Sequence, residues 1–121
     1  MNEKWCLLLL FCLLIVITGC EKKVMYMWSN FGDQIKASYH HFHGTETKNI
    51  TLEEGEILYL EYSSKVQEGS LTITLLDPDG KEVAQLETNT TGTMQVEAAS
   101  TGSYRLVIKG NKTKGSFDVT W

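Results

Sequence analysis

The sequence predicts an all-β fold: a single antiparallel β-sandwich of about seven or eight strands after a cleaved signal helix. Three observations support this prediction. From Gln34 onward, apolar residues recur at every second position, as they do in strands with one buried face. Turn-forming residues interrupt the alternation at short, regular intervals. No long window after residue 34 has the period of a helix.

The chain opens with an uncharged apolar run from Trp5 to Ile17, behind a short polar start that contains Lys4. This run has the length of a signal-peptide h-region and falls short of the roughly 20 residues that a membrane-spanning helix needs. The small residues Thr18 and Gly19 follow at once, and a signal peptidase requires narrow side chains before the bond that it cleaves. We therefore expect residues 1–19 to be a signal peptide.

The segment Ile17-Thr18-Gly19-Cys20 resembles the lipobox of bacterial lipoproteins. This resemblance implies that Cys20 becomes the first residue of the mature chain and carries diacylglycerol with palmitate-type acyl chains, and we expect no other cofactor. Two acyl chains hold a protein stably at a membrane, whereas one holds it marginally. The implied location is the outer, extracytoplasmic face of the cell membrane. The alternatives are an ordinary cleaved signal peptide and a short hydrophobic anchor.

Cysteine content and charge exclude several classes of function. Cys6 and Cys12 lie in the leader and the lipid would consume Cys20, so the mature chain would have no disulfide, thiolate ligand or cysteine nucleophile. The chain has a net charge of −4 at pH 7, which argues against nucleic acid as a partner.

The mature chain is predicted to consist of a lipidated N-terminus with a short tether, residues 20–33, and one β-sandwich domain, residues 34–121. Within the tether, the apolar segment Val24 to Trp28 is either a first edge strand or an interfacial segment whose aromatic rings lie at the membrane surface. Ser29 to Asp33 is expected to be a turn.

Alternation identifies the residues that face the core and those that form turns. The inward positions are predicted to include Ile73, Leu75, Leu106 and Ile108. Turns are predicted where Gly, Pro, Asn and acidic residues cluster: Glu53–Glu56, Glu68–Ser70, Asp77–Gly80, Asn89–Gly92, Ser100–Gly102 and Gly110–Gly115. The last strand, Phe117 to Trp121, is apolar at every second position, so Trp121 is expected to close the core and leave no cleft at that end.

Over residues 39–121, a set of turn and core residues recurs in a fixed order: Phe42-x-Gly44-Thr45, Ile50-Thr51-Leu52-x-x-Gly55-Glu56, Leu71-x-Ile73-x-Leu75-x-Asp77-Pro78-x-Gly80-Lys81, Thr101-Gly102-x-Tyr104-x-Leu106-x-Ile108-x-Gly110 and Gly115-Ser116-Phe117-x-Val119. In these motifs the chain resembles the pre-peptidase C-terminal type of bacterial secreted β-sandwich. The resemblance implies jelly-roll-like topology and an extracytoplasmic accessory or binding domain. No protease or other enzyme domain accompanies it in this sequence.

The histidines are clustered in the segment Tyr39 to His43. On a strand, His41 and His43 point the same way and could chelate one metal ion. The alternative is that Tyr39 and Phe42 are both buried, which requires a bulge between them and turns both histidines toward water. A pair of histidines without a third ligand is a weak site.

Two acidic segments and two aromatic residues are the other candidates for binding. Asp77 and Asp79 flank a proline and are expected to form a turn rather than a calcium site. The acidic turn at residues 53–56 is expected to be solvated. Tyr59, at an outward position of its strand, and Trp28 are the candidate aromatic platforms for a sugar, although packing against a neighbouring strand is the commoner role of such rings.

The sequence lacks the motifs of serine hydrolases, zinc proteases and phosphate-binding loops, so it predicts a protein that is not an enzyme. The leading hypothesis is a membrane-anchored, extracytoplasmic binding or structural accessory module of the bacterial cell envelope, with an envelope protein or polysaccharide as partner. The first alternative is a lipoprotein that binds carbohydrate or peptidoglycan. The second is a surface lipoprotein that binds metal through the histidine cluster.

Overall fold

The structure, a computed structural model, describes residues 22–30 and 32–121. The predicted signal peptide, the lipobox-like segment and Cys20 lie outside the described residues. The described chain forms six strands: β1 (Lys22–Ser29), β2 (Gln34–Leu52), β3 (Ile57–Leu76), β4 (Glu82–Leu86), β5 (Thr91–Glu97) and β6 (Gly102–Thr120). Every pairing between them is antiparallel, which confirms the predicted fold class. Within these residues, no helix is long and apolar enough to span a membrane.

The strands form one hydrogen-bonded sheet that is folded into two facing halves. Its order is β1-β2-β6-β3-β4, and β5 pairs with the first part of β3. One half, called the β1 half, contains β1, the first part of β2, the last part of β6, the first part of β3, and β5. The other, called the β4 half, contains the remaining parts of β2, β6 and β3, together with β4. The three longest strands therefore belong to both halves.

The sheet folds over where these three strands change register. The shifts fall between Tyr39 and Gly44 in β2, between Val66 and Ser70 in β3, and at the facing residues 110–115 of β6. Such bulges bend a strand without ending it, and in sandwiches they form the corners where a strand passes from one layer to the other. We call this corner the bulge line.

Two of the predicted turns are wrong, because their residues lie on the bulge line inside continuous strands. The glycine-containing segments 68–70 and 110–115 were expected to separate strands, but each lies within one continuous strand. With these segments continuous, the described residues form six strands. The glycines are needed there for a different reason: a Cβ on Gly69 would lie 2.3 Å from the carbonyl oxygen of Lys112.

One hydrophobic core lies between the two halves. All four of the predicted inward residues, Ile73, Leu75, Leu106 and Ile108, are fully buried. The β1 half contributes the other side of this core through Ile35, Ala37, Leu58, Leu60, Phe117 and Val119. The alternation in the sequence therefore identified the buried face of both halves.

The two acidic turns form as predicted. Glu56 donates its backbone N–H to the carbonyl of Glu53 at 2.9 Å, around Gly55 with φ of 85°. In the second turn, the Asp77 side-chain oxygen accepts backbone N–H groups from Asp79 and Lys81, both at 2.9 Å. Because this oxygen already binds two amides, the segment is a turn stabilised by its own aspartate.

Residues 22–29 form the edge strand β1, the first of the two roles considered for this apolar segment. The strand runs from Lys22, opposite His43, to Ser29, opposite Lys36. The sheet thus begins inside the segment that was predicted to be a tether, before the expected domain boundary at residue 34.

Candidate functional site

A cleft of about 390 Å³ lies at the end of the sandwich opposite the bulge line. We call it the terminal cleft. Strand ends and turns converge on it: the turn before β2, the last residues of β2, the first residues of β3 and the C-terminus. Its lining consists of Gly32, Asp33, Lys48, Asn49, Ile50, Thr51, Leu52, Glu56, Ile57, Leu58, Tyr59 and Trp121.

Trp121 forms one wall of the terminal cleft. It is half-buried and packs against the core, as predicted, and its backbone N–H donates to the carbonyl of Asp33 at 3.0 Å. The expectation that it leaves no cleft is wrong. Trp121 follows Thr120, the last paired residue of β6. Residues 48–52 of β2 pair with β6 on one edge only, because β1 pairs with residues 36–43. The space between the Trp121 ring and the end of β2 therefore remains open.

Tyr59 forms another wall and is the most exposed large apolar side chain among the described residues, at 60%. The flanking Leu58 and Leu60 are buried, so Tyr59 lies on the outward face of β3, as its parity predicted. Tyr59 also borders a second cleft of about 450 Å³ on the side of β5, which contains Thr93 and Gln95.

The structure does not bring Tyr59 and Trp28 together. Trp28 lies opposite Ala37, which lies opposite Phe117, so Trp28 belongs to a row on the inner face of the β1 half. Its ring packs edge-on against Phe117, with 6.4 Å between the ring centroids. The aromatic partner of Tyr59 at a cleft is therefore Trp121, which the sequence pattern assigned to the core alone.

A polar surface extends from Tyr59 across the outward face of the β1 half. It includes a shallow cleft of about 240 Å³ between β3, β5 and β6, whose outward side chains are Glu61, Ser63, Thr91, Thr93, Asp118 and Thr120. Asp118 is held in place by hydrogen bonds from the Gln34 amide at 3.1 Å and the Thr120 hydroxyl at 3.3 Å. Hydroxyl and carboxylate groups thus dominate the face next to Tyr59.

The histidine cluster lies at the bulge line. Tyr39 and Phe42 are both buried and the register shifts between them, which confirms the bulge that the alternative interpretation required. His43 is exposed, and its Nδ1 accepts a hydrogen bond from the backbone N–H of Lys112 at 3.3 Å. Among the described residues, no group of three metal-binding side chains is present. His41 and His43 therefore have no third protein ligand there.

Burial raises the pKa of the Tyr39 hydroxyl above its ordinary value of 10.0. The neighbouring Thr113 hydroxyl partly opposes this rise, although neither group has a hydrogen-bond partner of normal geometry among the described residues. The pair lies beneath the histidine bulge, where Tyr39 also packs against Phe42 with 5.3 Å between the ring centroids.

No family model matches the chain, and no curated protein sequence matches it. The chain is distantly similar to several solved structures, among them the following three. They are a periplasmic inhibitor of g-type lysozyme from Aeromonas hydrophila, a family 4 carbohydrate-binding module, and a family 6 carbohydrate-binding module from a Cellvibrio mixtus lichenase in complex with cellotriose.

The likeness to these structures is distant. The inhibitor is 14% identical, covers 76% of this chain and 91% of its own, and has a TM-score of 0.46. The family 4 module is 7% identical, with coverages of 86% and 77% and a TM-score of 0.48. The family 6 module is 16% identical, with coverages of 84% and 86% and a TM-score of 0.44. Scores of this size establish no shared function.

Proposed function

We propose that this protein is a bacterial lipoprotein whose β-sandwich is a non-catalytic binding module on the extracytoplasmic face of the membrane. In this proposal residues 1–19 are removed and diacylglycerol on Cys20 anchors the chain. The proposal is supported by the lipobox and by the position of β1, which begins two residues after Cys20. The folded domain would therefore lie close to the lipid.

If Cys20 is lipidated, the direction of β1 would orient the terminal cleft away from the membrane. The strand begins at the bulge line, where Lys22 lies opposite His43, and ends just before Gly32 and Asp33, which line the terminal cleft. Eight extended residues at about 3.3 Å each separate the two ends by roughly 25 Å. A lipid at Cys20 therefore places the terminal cleft on the distal side of the domain.

The combination of Tyr59 and Trp121 at one cleft is the observation that favours a polysaccharide as the ligand. Aromatic rings offer an apolar face to the C–H groups of a sugar ring, and nearby polar groups bind its hydroxyls. Asn49, Thr51 and Glu56 supply amide, hydroxyl and carboxylate groups at the same cleft. We infer that the terminal cleft binds a cell-envelope polysaccharide, with peptidoglycan as the first ligand to test.

The carboxylates at the terminal cleft support binding rather than hydrolysis. Asp33 and Glu56 are both exposed. A glycoside hydrolase keeps one of its two carboxyl groups protonated, and burial in an apolar pocket is the usual means. No carboxyl group that lines this cleft is buried in that way.

Binding to purified peptidoglycan, measured by co-sedimentation, tests the ligand. Tyr59→Ala should weaken binding about threefold to tenfold, the usual contribution of one aromatic contact. Trp28→Ala is the matched control, because it removes an aromatic ring outside the terminal cleft and should leave binding unchanged. Equal binding by wild type and Tyr59→Ala, or absence of binding by the wild type, would contradict the ligand assignment.

The anchor has its own test. Mass spectrometry of the N-terminal peptide from the membrane fraction should show a diacylglyceryl Cys20. A Cys20→Ala protein should leave the membrane fraction, and its retention there at the wild-type level would refute the lipoprotein assignment.

A further inference from the structure

A fourth cleft, of about 340 Å³, lies on the outward face of the β1 half at the bulge line. We call it the basic cleft. Its walls carry the cationic or titratable side chains of His40, Lys65 and Lys114 and the neutral polar side chains of Ser38, Gln67 and Ser116. No carboxylate lines it, although the chain as a whole has a net charge of −4.

The register of the strands brings these groups together. Ser38 lies directly opposite Ser116, which in turn lies opposite Lys65, so one row across β2, β6 and β3 presents two hydroxyls and an ammonium. The floor beneath this row is tight, since a Cβ on Gly115 would lie 1.8 Å from the carbonyl oxygen of Lys65. The polar groups are therefore arranged on closely packed strands.

The lysines of the basic cleft have charge available for a ligand. Neither Lys65 nor Lys114 takes part in an ion pair among the described residues. Lys23, which is also near the bulge line, forms a salt bridge with Glu46. Two ammonium groups beside two hydroxyls provide the N–H and O–H donors that a phosphate oxygen accepts.

The basic cleft lies at the end of the domain where the proposed lipid would be. β1 starts at the same bulge line, and Cys20 precedes that start by two residues, a reach of about 7 Å. Lys112 is exposed in the same bulge. The acidic turn Glu53–Glu56, by contrast, adjoins the terminal cleft at the opposite end.

We propose that the basic cleft binds the phosphate of an anionic phospholipid and docks the sandwich on the membrane with the terminal cleft facing outward. The position of the basic cleft relative to the bilayer rests on the anchor proposed above. Acyl chains on Cys20 would hold the protein at the membrane, and the basic cleft would fix the orientation of the domain. Basic residues near an anionic membrane surface supply attraction of this kind.

The test compares the lipidated full-length mature protein in vesicles of phosphatidylcholine and in vesicles that also contain phosphatidylglycerol. A water-soluble reagent acylates exposed lysines, and mass spectrometry gives the labelling rate of each one. Lys65 and Lys114 should be labelled about fivefold more slowly on the anionic vesicles, and high salt should remove the difference. Lys48 and Lys81, at the distal end, should react at the same rate on both.

Two variants show whether the basic cleft causes this protection. Lys112, which is exposed at the same bulge line, should also be labelled more slowly on anionic vesicles. In a Lys65→Gln/Lys114→Gln protein this slowing of Lys112 should disappear. A Lys48→Gln/Lys81→Gln protein, with the same loss of charge elsewhere, should keep it. Melting curves check that both variants are folded. Equal labelling of Lys65 and Lys114 on the two kinds of vesicle, or equal slowing of Lys48 and Lys81, would overturn the proposal.

Failure of the anchor gives a different result. A protein without lipid on Cys20 would not float with phosphatidylcholine vesicles, and its N-terminal peptide would lack the added mass. The basic cleft would still make such a protein float with phosphatidylglycerol vesicles at low salt. If Cys20 is lipidated but Lys65 and Lys114 are labelled at the same rate on both kinds of vesicle, the lipoprotein assignment stands and the proposed phosphate site is wrong.

Discussion

Two buried tyrosines of this protein differ in what their hydroxyl groups contact. The Tyr104 hydroxyl donates to the carbonyl of Ser100 at 2.9 Å and receives the backbone N–H of the same residue at 3.4 Å. The Tyr39 hydroxyl is buried with no hydrogen-bond partner among the described residues. A buried polar group without a partner costs stability, whereas a paired one contributes about 0.5–1.5 kcal/mol.

Replacement of each tyrosine by phenylalanine should therefore change stability in opposite directions. Tyr39→Phe removes an unpaired hydroxyl, and the free energy of unfolding should rise by about 1 kcal/mol. Tyr104→Phe leaves the Ser100 backbone groups without their partner and should lower it by a similar amount. Urea denaturation at neutral pH measures both, and a loss of stability in Tyr39→Phe would show that its hydroxyl is paired.

Tyr39 also predicts how the stability of the protein changes with pH in the alkaline range. The pKa of Tyr39 is raised in the folded state, so above pH 10 the unfolded chain loses this proton before the folded protein does. Relative to the ionised form, neutral Tyr39 favours the folded state. This contribution is fully present below the unfolded pKa and is lost as pH rises through the folded pKa. In a comparison of urea midpoints from pH 9 to pH 11, Tyr39→Phe should lose less stability than the wild type. Equal losses of stability in the wild type and in Tyr39→Phe would exclude ionisation of Tyr39 as the cause of the pH dependence.

At the scale of elements, alternation and turn composition differ in what they predict. Alternation placed Ile73, Leu75, Leu106 and Ile108 correctly, because a period of two depends only on which face of a strand is buried. Turn composition failed at residues 68–70 and 110–115. Glycine with positive φ serves both turns and bulges, and only the pairing of distant strands distinguishes them.

Gly115 should be the glycine most sensitive to substitution at the bulge line. Its φ is 149°, and a Cβ there would meet the Lys65 backbone oxygen at 1.8 Å, so Gly115→Ala should cost about 2–4 kcal/mol. Gly80→Ala is the matched control: its φ of 83° is also positive, but no atom lies within 4 Å of the added carbon. That variant should lose only about 1 kcal/mol. Equal losses in urea denaturation would indicate that the close approach of β6 to β3 is unimportant.

At the scale of the whole molecule, the terminal cleft depends on contacts that no local pattern reveals. Tyr59 could be assigned to an outward face from its own strand, and Trp121 to the inner face of β6. That both border one opening follows only from the fold, which brings the start of β3, the end of β2 and the C-terminus to the same end of the sandwich. The sequence therefore identified one of the two aromatic residues and missed the cleft itself.

Deletion of Trp121 should affect both stability and binding. The ring packs against the core and its N–H bonds to Asp33, so its loss should lower the melting temperature by about 4–8 °C for each kcal/mol removed. Peptidoglycan binding should fall as well, measured well below the lowered melting temperature. Thermal denaturation followed by circular dichroism measures the first effect, and an unchanged melting curve would contradict the packing of Trp121.

The arrangement of β1 also decides how the protein would bear mechanical force. A cell-wall polymer held at the terminal cleft and a lipid held in the bilayer would pull on opposite ends of the domain. β1 is antiparallel to β2 along residues 36–43. With the proposed lipid on Cys20, the N-terminal end of β1 would lead to the membrane, so the load would run parallel to both strands. The hydrogen bonds between β1 and β2 would then be loaded in shear and would resist the force together. They would not break one after another, as they do when an edge strand is peeled from a sheet. A strand at the edge of the sheet would thus serve as the tensile link between wall and membrane.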